Sequence, residues 1–162
     1  MDVQSYYGST IGPKRATLAA GSTTTLSNTG TMAYTIRGKD YSVSAWSNTA
    51  TPTTDVNTGA AFTGVVANKG CIFVVGLNAA NAMKVAQGTI ESLDTAGAFI
   101  NAPQFPGLPT DFAPVGYIVI KAGSTANATT GWVFGTSNMS GVTGITYTFV
   151  DSSILPDRPQ IS

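Results

Sequence analysis

Between Gly70 and Gly76 the chain reads Cys-Ile-Phe-Val-Val, and after the polar stretch Asn78 to Ala82 a second apolar run follows. A run this short, flanked by glycine and rich in β-branched residues, is a strand pattern rather than a helix pattern. The spacing predicts a β-hairpin, with Ile72 to Gly76 paired to Lys84 to Gln87. So apolar a hairpin has to be covered, and the rest of the chain must be read for what covers it.

Elsewhere the pattern is also that of strands and turns. "MAYTIRGKDYSVSAW" alternates Tyr34 and Ile36 with Tyr41 and Val43 across the turn "RGKD", a second hairpin. A short strand is expected within Thr17 to Leu26, and further strands in "GYIVIKAG", "TGWVFGT" and "GVTGITYTFVD". Thr54 or Asp55 could cap a short helix through "NTGAAFTGVV", a reading that Gly59 and Gly64 weaken. Prolines 103, 106, 109 and 114 forbid a helix or a central strand from Thr95 to Gly116. That segment is expected to cross the body in extended form and to seat Phe99, Phe105, Leu108 and Phe112 on the core. The expected fold is all-β: a single sandwich or barrel domain over residues 31–150, preceded by an extended Ser/Thr/Gly-rich arm (1–30) and followed by a Pro-rich tail (151–162).

A chain of 162 residues can bury a substantial core without disulfide or metal support. Charged residues make up only 10%, against about 25% in an ordinary soluble domain, and Thr, Ser, Asn and Gly take their place. Eight basic and eight acidic residues cancel, so no long-range field gathers phosphate backbones or anionic lipid. Neither nucleic acid nor a membrane is expected as a partner. No signal peptide and no apolar run of about 20 residues is seen, so synthesis in a cytoplasm is expected.

The chain has no histidine, which removes Ser-His-Asp and Cys-His catalysis and nearly all zinc sites. Glu91 and Asp94 lie close enough to raise a glycosidase-like pair or a calcium site, but they read as solvated charges at a strand end. "GSTIGPKR", Gly8 to Arg15, departs from a phosphate-binding loop in spacing, in Pro13, and in having no Ser or Thr after Lys14. Cys71 reads as a small buried hydrophobe, Trp132 in "GWVFG" as core, and Trp46 in "SAWSNT" as a surface contact. The sequons at Asn127 and Asn138 are of the kind a Thr-rich chain produces by chance. No enzyme activity, cofactor or metal site is expected.

Several stretches together carry a resemblance: "AYTIRGKDYS", "ATPTTDVNTGAAF", "ANKGCIFVVGLN", "KVAQGTIESLDTAGAFINAPQFPGLPTDFAPVGYIVIKAG" and the terminal "LPDRPQ". From roughly Ala33 to Gln160 the chain resembles small virion structural proteins of tailed bacteriophages. The resemblance implies a bacteriophage virion component more firmly than a position in the virion; the leading expectation is a decoration or cement protein on the outer capsid surface that clamps adjacent capsomers. Its partners would be the major capsid protein and further copies of itself, as a homotrimer. Candidate contacts are Tyr6, Tyr7, Ile11, Lys14 and Arg15 in the arm, Trp46 in the body, and Leu155, Pro156, Arg158 and Pro159 in the tail. The alternative is a tail or head-fibre module that recognises host glycan through Trp46, the tyrosines and Asn-rich loops.

Overall fold

The computed structural model describes residues 17–152, 155–156 and 159–161, and over them the chain is all-β, with no helix among the described residues. Its strands are β1 (Leu18–Ala20), β2 (Thr25–Asn28), β3 (Met32–Ile36), β4 (Lys39–Val43), β5 (Thr49–Ala50), β6 (Lys69–Leu77), β7 (Met83–Gln87), β8 (Glu91–Ser92), β9 (Ala113–Ala122) and β10 (Ile145–Asp151). The largest sheet is antiparallel in the order β10-β9-β6-β7, with β8 pairing to the start of β6. Two smaller sheets, β1-β2-β5 and the hairpin β3-β4, complete the described fold.

The hairpin expected around the apolar run is present as β6 and β7, with Phe73 opposite Gln87 and Leu77 opposite Met83. Its glycine flanks do not end it, however, because β6 extends past both Gly70 and Gly76. Both glycines serve packing: a Cβ at Gly70 would lie 2.5 Å from the Phe99 ring, and one at Gly76 would lie 2.4 Å from the Phe112 ring. Each glycine is a seat for an aromatic ring laid on the sheet.

Both faces of β6 are sealed. Cys71, Phe73, Val75 and Leu77 enter one cluster with Ile118 and Ile120 of β9, together with Leu18, Leu26, Met32, Tyr34, Phe62, Trp132 and Phe134. Ile72 and Val74 enter a second cluster with Phe112, Tyr117 and Val119, overlaid by Val56, Phe99, Phe105, Leu108, Leu155 and Ile161. The Pro-rich segment therefore does cross the body and cover a face, as its phenylalanines and Leu108 required. The tail joins it there, with the Gln160 N–H donating to the Tyr117 hydroxyl at 2.8 Å.

Four expectations need correction. Pro114 lies inside β9, a strand with neighbours on both sides. It is tolerated because β10 reaches only to Gly116, and because the β6–β9 ladder shifts register beside it, between Val75 and Gly76. "TGWVFGT" forms no strand; Trp132 makes an isolated bridge to Val65, and Gly131 and Gly135 bend the backbone with φ of 68° and 76°. No helix follows Asp55, whose carboxylate instead accepts the N–H groups of Asn57 and Thr58 in a single turn closed by Gly59. The stretch 17–30 is not arm but body: it forms β1 and β2, and Leu18 and Leu26 are buried.

Candidate contact surface

Of the expected contact residues, Tyr6, Tyr7, Ile11, Lys14, Arg15 and Arg158 lie outside the described residues. Trp46 is placed otherwise than expected. It is 7% exposed and packs in the first cluster, because Asn28 binds its backbone from both sides: the Asn28 N–H donates to the Trp46 carbonyl, and the Trp46 N–H donates to the Asn28 side-chain oxygen. A Ser- and Asn-rich setting made the indole look like a surface group, and this double clamp turns it inward. Leu155 is half-buried against the second cluster, Pro159 is half-buried, and Pro156 is exposed. The central sheet separates Trp46 from the tail, so the structure does not bring these residues together.

Trp132 and Cys71 are where the sequence placed them. The Trp132 ring is 2% exposed and its indole N–H donates to the Asn138 carbonyl at 2.8 Å. Burial pushes the Cys71 thiol up to about 12, so at neutral pH it is a protonated, unreactive hydrophobe.

The outer loops share one device, which sequence reading missed. Asn48 accepts the Ser22 N–H at 2.8 Å; Asn78 accepts those of Ala80 and Ala82, both at 3.0 Å. Asp94 accepts from Ala96 and Ala98 at 2.9 and 2.8 Å, and Asn127 from Thr129 and Thr130 at 2.8 and 2.9 Å. Asn78, Asp94 and Asn127 each stand in for a backbone carbonyl and lock their own turns, while Asn48 holds the turn after β1 from 26 residues away. The signal was available in the sequence as Asn or Asp followed by small residues, notably in "NAANA" and "DTAGA". Asp94 is thereby committed to its turn, and among the described residues no three His, Cys, Asp or Glu side chains gather where a metal could sit.

Asp55 and Gln87 hold the loop before β6. Besides its own turn, Asp55 accepts the Gln87 N–H at 3.0 Å, while the Gln87 side chain pairs both ways with the Thr63 backbone, at 2.9 and 2.8 Å. Midway along the β3–β4 hairpin the Tyr34 ring stacks on Tyr41 at 5.5 Å, and its hydroxyl donates to the Asn78 carbonyl or the Asn81 side chain. Burial raises the Tyr34 pKa above its ordinary value, with Tyr41 adding to the effect. Lys39 lies 5.5 Å over the Tyr41 ring, and Arg37 donates to Thr110.

The resulting surface is a set of hydroxyl- and amide-bearing loops fixed by short hydrogen bonds over a sealed core. Among the described residues Ile100 alone is a large, strongly exposed hydrophobic side chain, at 63%. Compared with family models, curated proteins and solved structures, the chain matches none of them.

Proposed function

We propose that this chain is a structural subunit of a tailed-bacteriophage virion, working as a decoration or cement protein on the outer shell. The observation that carries the reading is the preorganised, charge-poor loop surface built on Asn48, Asn78, Asp94 and Asn127. Docking a locked loop costs little ordering entropy, and desolvating hydroxyls and amides costs less than desolvating ammonium groups. Many copies, each adding a modest contact across a capsomer boundary, stabilise whichever lattice state they bind selectively. The glycan-recognition alternative draws less support, because its leading stacking residue, Trp46, is buried.

The test is the abundance of this chain in purified particles relative to the major capsid protein, measured by quantitative mass spectrometry. Near-stoichiometric abundance is expected. An abundance of a few per cent would move the protein to a tail or vertex, and absence from particles would overturn the reading.

A further inference from the structure

The outer strands of the sheets are not equally protected. A sheet edge presents unpaired N–H and C=O groups, and proteins blunt such edges with charge, proline, bulges or a covering loop. β7 is covered: the Val56 N–H donates to the Val85 carbonyl, and the Asp55 carboxylate takes the Gln87 N–H. β4 carries Lys39 and Asp40. β10 has neither defence along Ile145 to Val150, a stretch without charge or proline that pairs with β9 in unbroken register over seven residues. Among the described residues no strand is hydrogen-bonded along its outer edge; β1 approaches its end, where the Leu18 N–H donates to the Asp151 carboxylate at 2.7 Å, and from Tyr147 to Val150 every residue is half-buried.

The middle of β10, Thr146 to Val150, also complements its own reverse. About a two-fold axis at Thr148, Tyr147 would lie opposite the partner's Phe149 on one face, and Thr146 opposite the partner's Val150 on the other. Aromatic pairs and Thr pairs are among the favourable cross-strand neighbours in an antiparallel ladder. Tyr147 is already fixed for this, its ring edge-on to Trp132 at 5.9 Å and its hydroxyl donating to the Asn138 carbonyl at 3.1 Å. We infer that two copies of this chain associate through β10, edge to edge and antiparallel with Thr148 opposite Thr148, so that their central sheets become one. A self-complementary strand gives an isologous contact, which closes at two copies and does not propagate. The contact would join two copies whether or not they also meet about a three-fold axis, and it does not depend on the virion reading.

One strand edge buries far less than the ~1,600 Å² of a standard interface, so the dimer is weak and concentration-dependent. The experiment is sedimentation equilibrium of the full chain over a concentration series reaching the millimolar range, beside Thr148→Lys and Thr148→Cys. The mass should rise from one chain towards two. Thr148→Lys, which sets like charges against each other at the axis, should hold the protein monomeric while leaving its circular dichroism and melting unchanged. Thr148→Cys should form a disulfide-linked dimer under mild oxidation, whereas Thr146→Cys, whose neighbour across the axis is Val150, should not. A protein that stays monomeric, with β10 amides protected from exchange at every concentration, would overturn the inference, since the chain itself would then cover the edge. Dimerisation unaffected by Thr148→Lys would overturn it equally.

Discussion

The two faces of the central sheet are covered by different means. On the first, the rings of Phe62, Phe73, Trp132 and Phe134 interlock, with Phe73 4.9 Å from Phe134 and 5.7 Å from Trp132. Three of these four come from irregular segments, Phe62 from the loop before β6 and Trp132 and Phe134 from the stretch between β9 and β10. On the second, a near-continuous proline-rich strap and the tail lie across the strands, with Phe105 edge-on to Tyr117 at 5.0 Å. The first face is closed by mutual packing among buried side chains; the second is closed by a cover whose own outer side is wet. Losses on the first face should therefore be global, while losses among the cover residues of the second should be local and smaller.

The severest break is Val74→Asp, which sets an uncompensated charge in the sheet beneath the strap. The cost of several kcal/mol is a large part of a total near 5–15 kcal/mol, so soluble, folded protein should be lost. A normally folded variant would mean that water reaches this face. Phe73→Ala should lower unfolding free energy in urea by about 3–5 kcal/mol, because a ring with three aromatic neighbours is removed from a site that cannot collapse. Phe105→Ala, on the half-exposed cover, should cost less than half as much; an equal cost would erase the distinction between the faces.

Titration of Cys71 probes the first face without mutation. Its folded-state pKa of about 12 lies above its ordinary value of 9.0 because burial disfavours the thiolate. A raised pKa contributes stability that is intact below pH 9 and is lost as pH climbs towards 12, by on the order of a few kcal/mol. Thiol alkylation at pH 8 should be slow in the native protein and fast in urea; equal rates would place the thiol at the surface. The smallest effect expected is that of Tyr117→Phe, which removes the acceptor of the Gln160 N–H. About 0.5–1.5 kcal/mol should be lost, together with faster amide exchange confined to the tail.

How far each element could be read depended on whether local pattern or distant contact fixed it. The β3–β4 hairpin was legible because its alternation and its turn agree, with Arg37 and Gly38 both at positive φ, 50° and 76°. "TGWVFGT" was not, because an apolar triplet buried by loops has the composition of a strand, and only the contact of Gly131 with the Val65 backbone shows that a bend is needed. Pro114 misled for a related reason: whether a proline is forbidden depends on where the neighbouring strand stops. Of the contact residues, Trp46 was misread because the decisive partner, Asn28, lies 18 positions away. The locks of Asn78, Asp94 and Asn127 are local and still go unseen when an Asn-rich turn is read as composition and not as hydrogen-bond geometry, whereas that of Asn48 spans 26 residues.

The register shift beside Pro114 has a consequence for how this chain can change over generations. Ala113 and Ile118 enter the same cluster although they are five residues apart, an odd number that ordinary strand alternation would send to opposite sides. The strand thus carries an internal change of phase. Loss of a single codon between those two positions would leave them an even number apart, on one side by regular alternation without the shift, whereas loss of two would again send them to opposite sides. Gene alignments of relatives should therefore show the count from Ala113 to Ile118 either as it is here, with the shift, or one fewer, with a regular strand, and not two fewer.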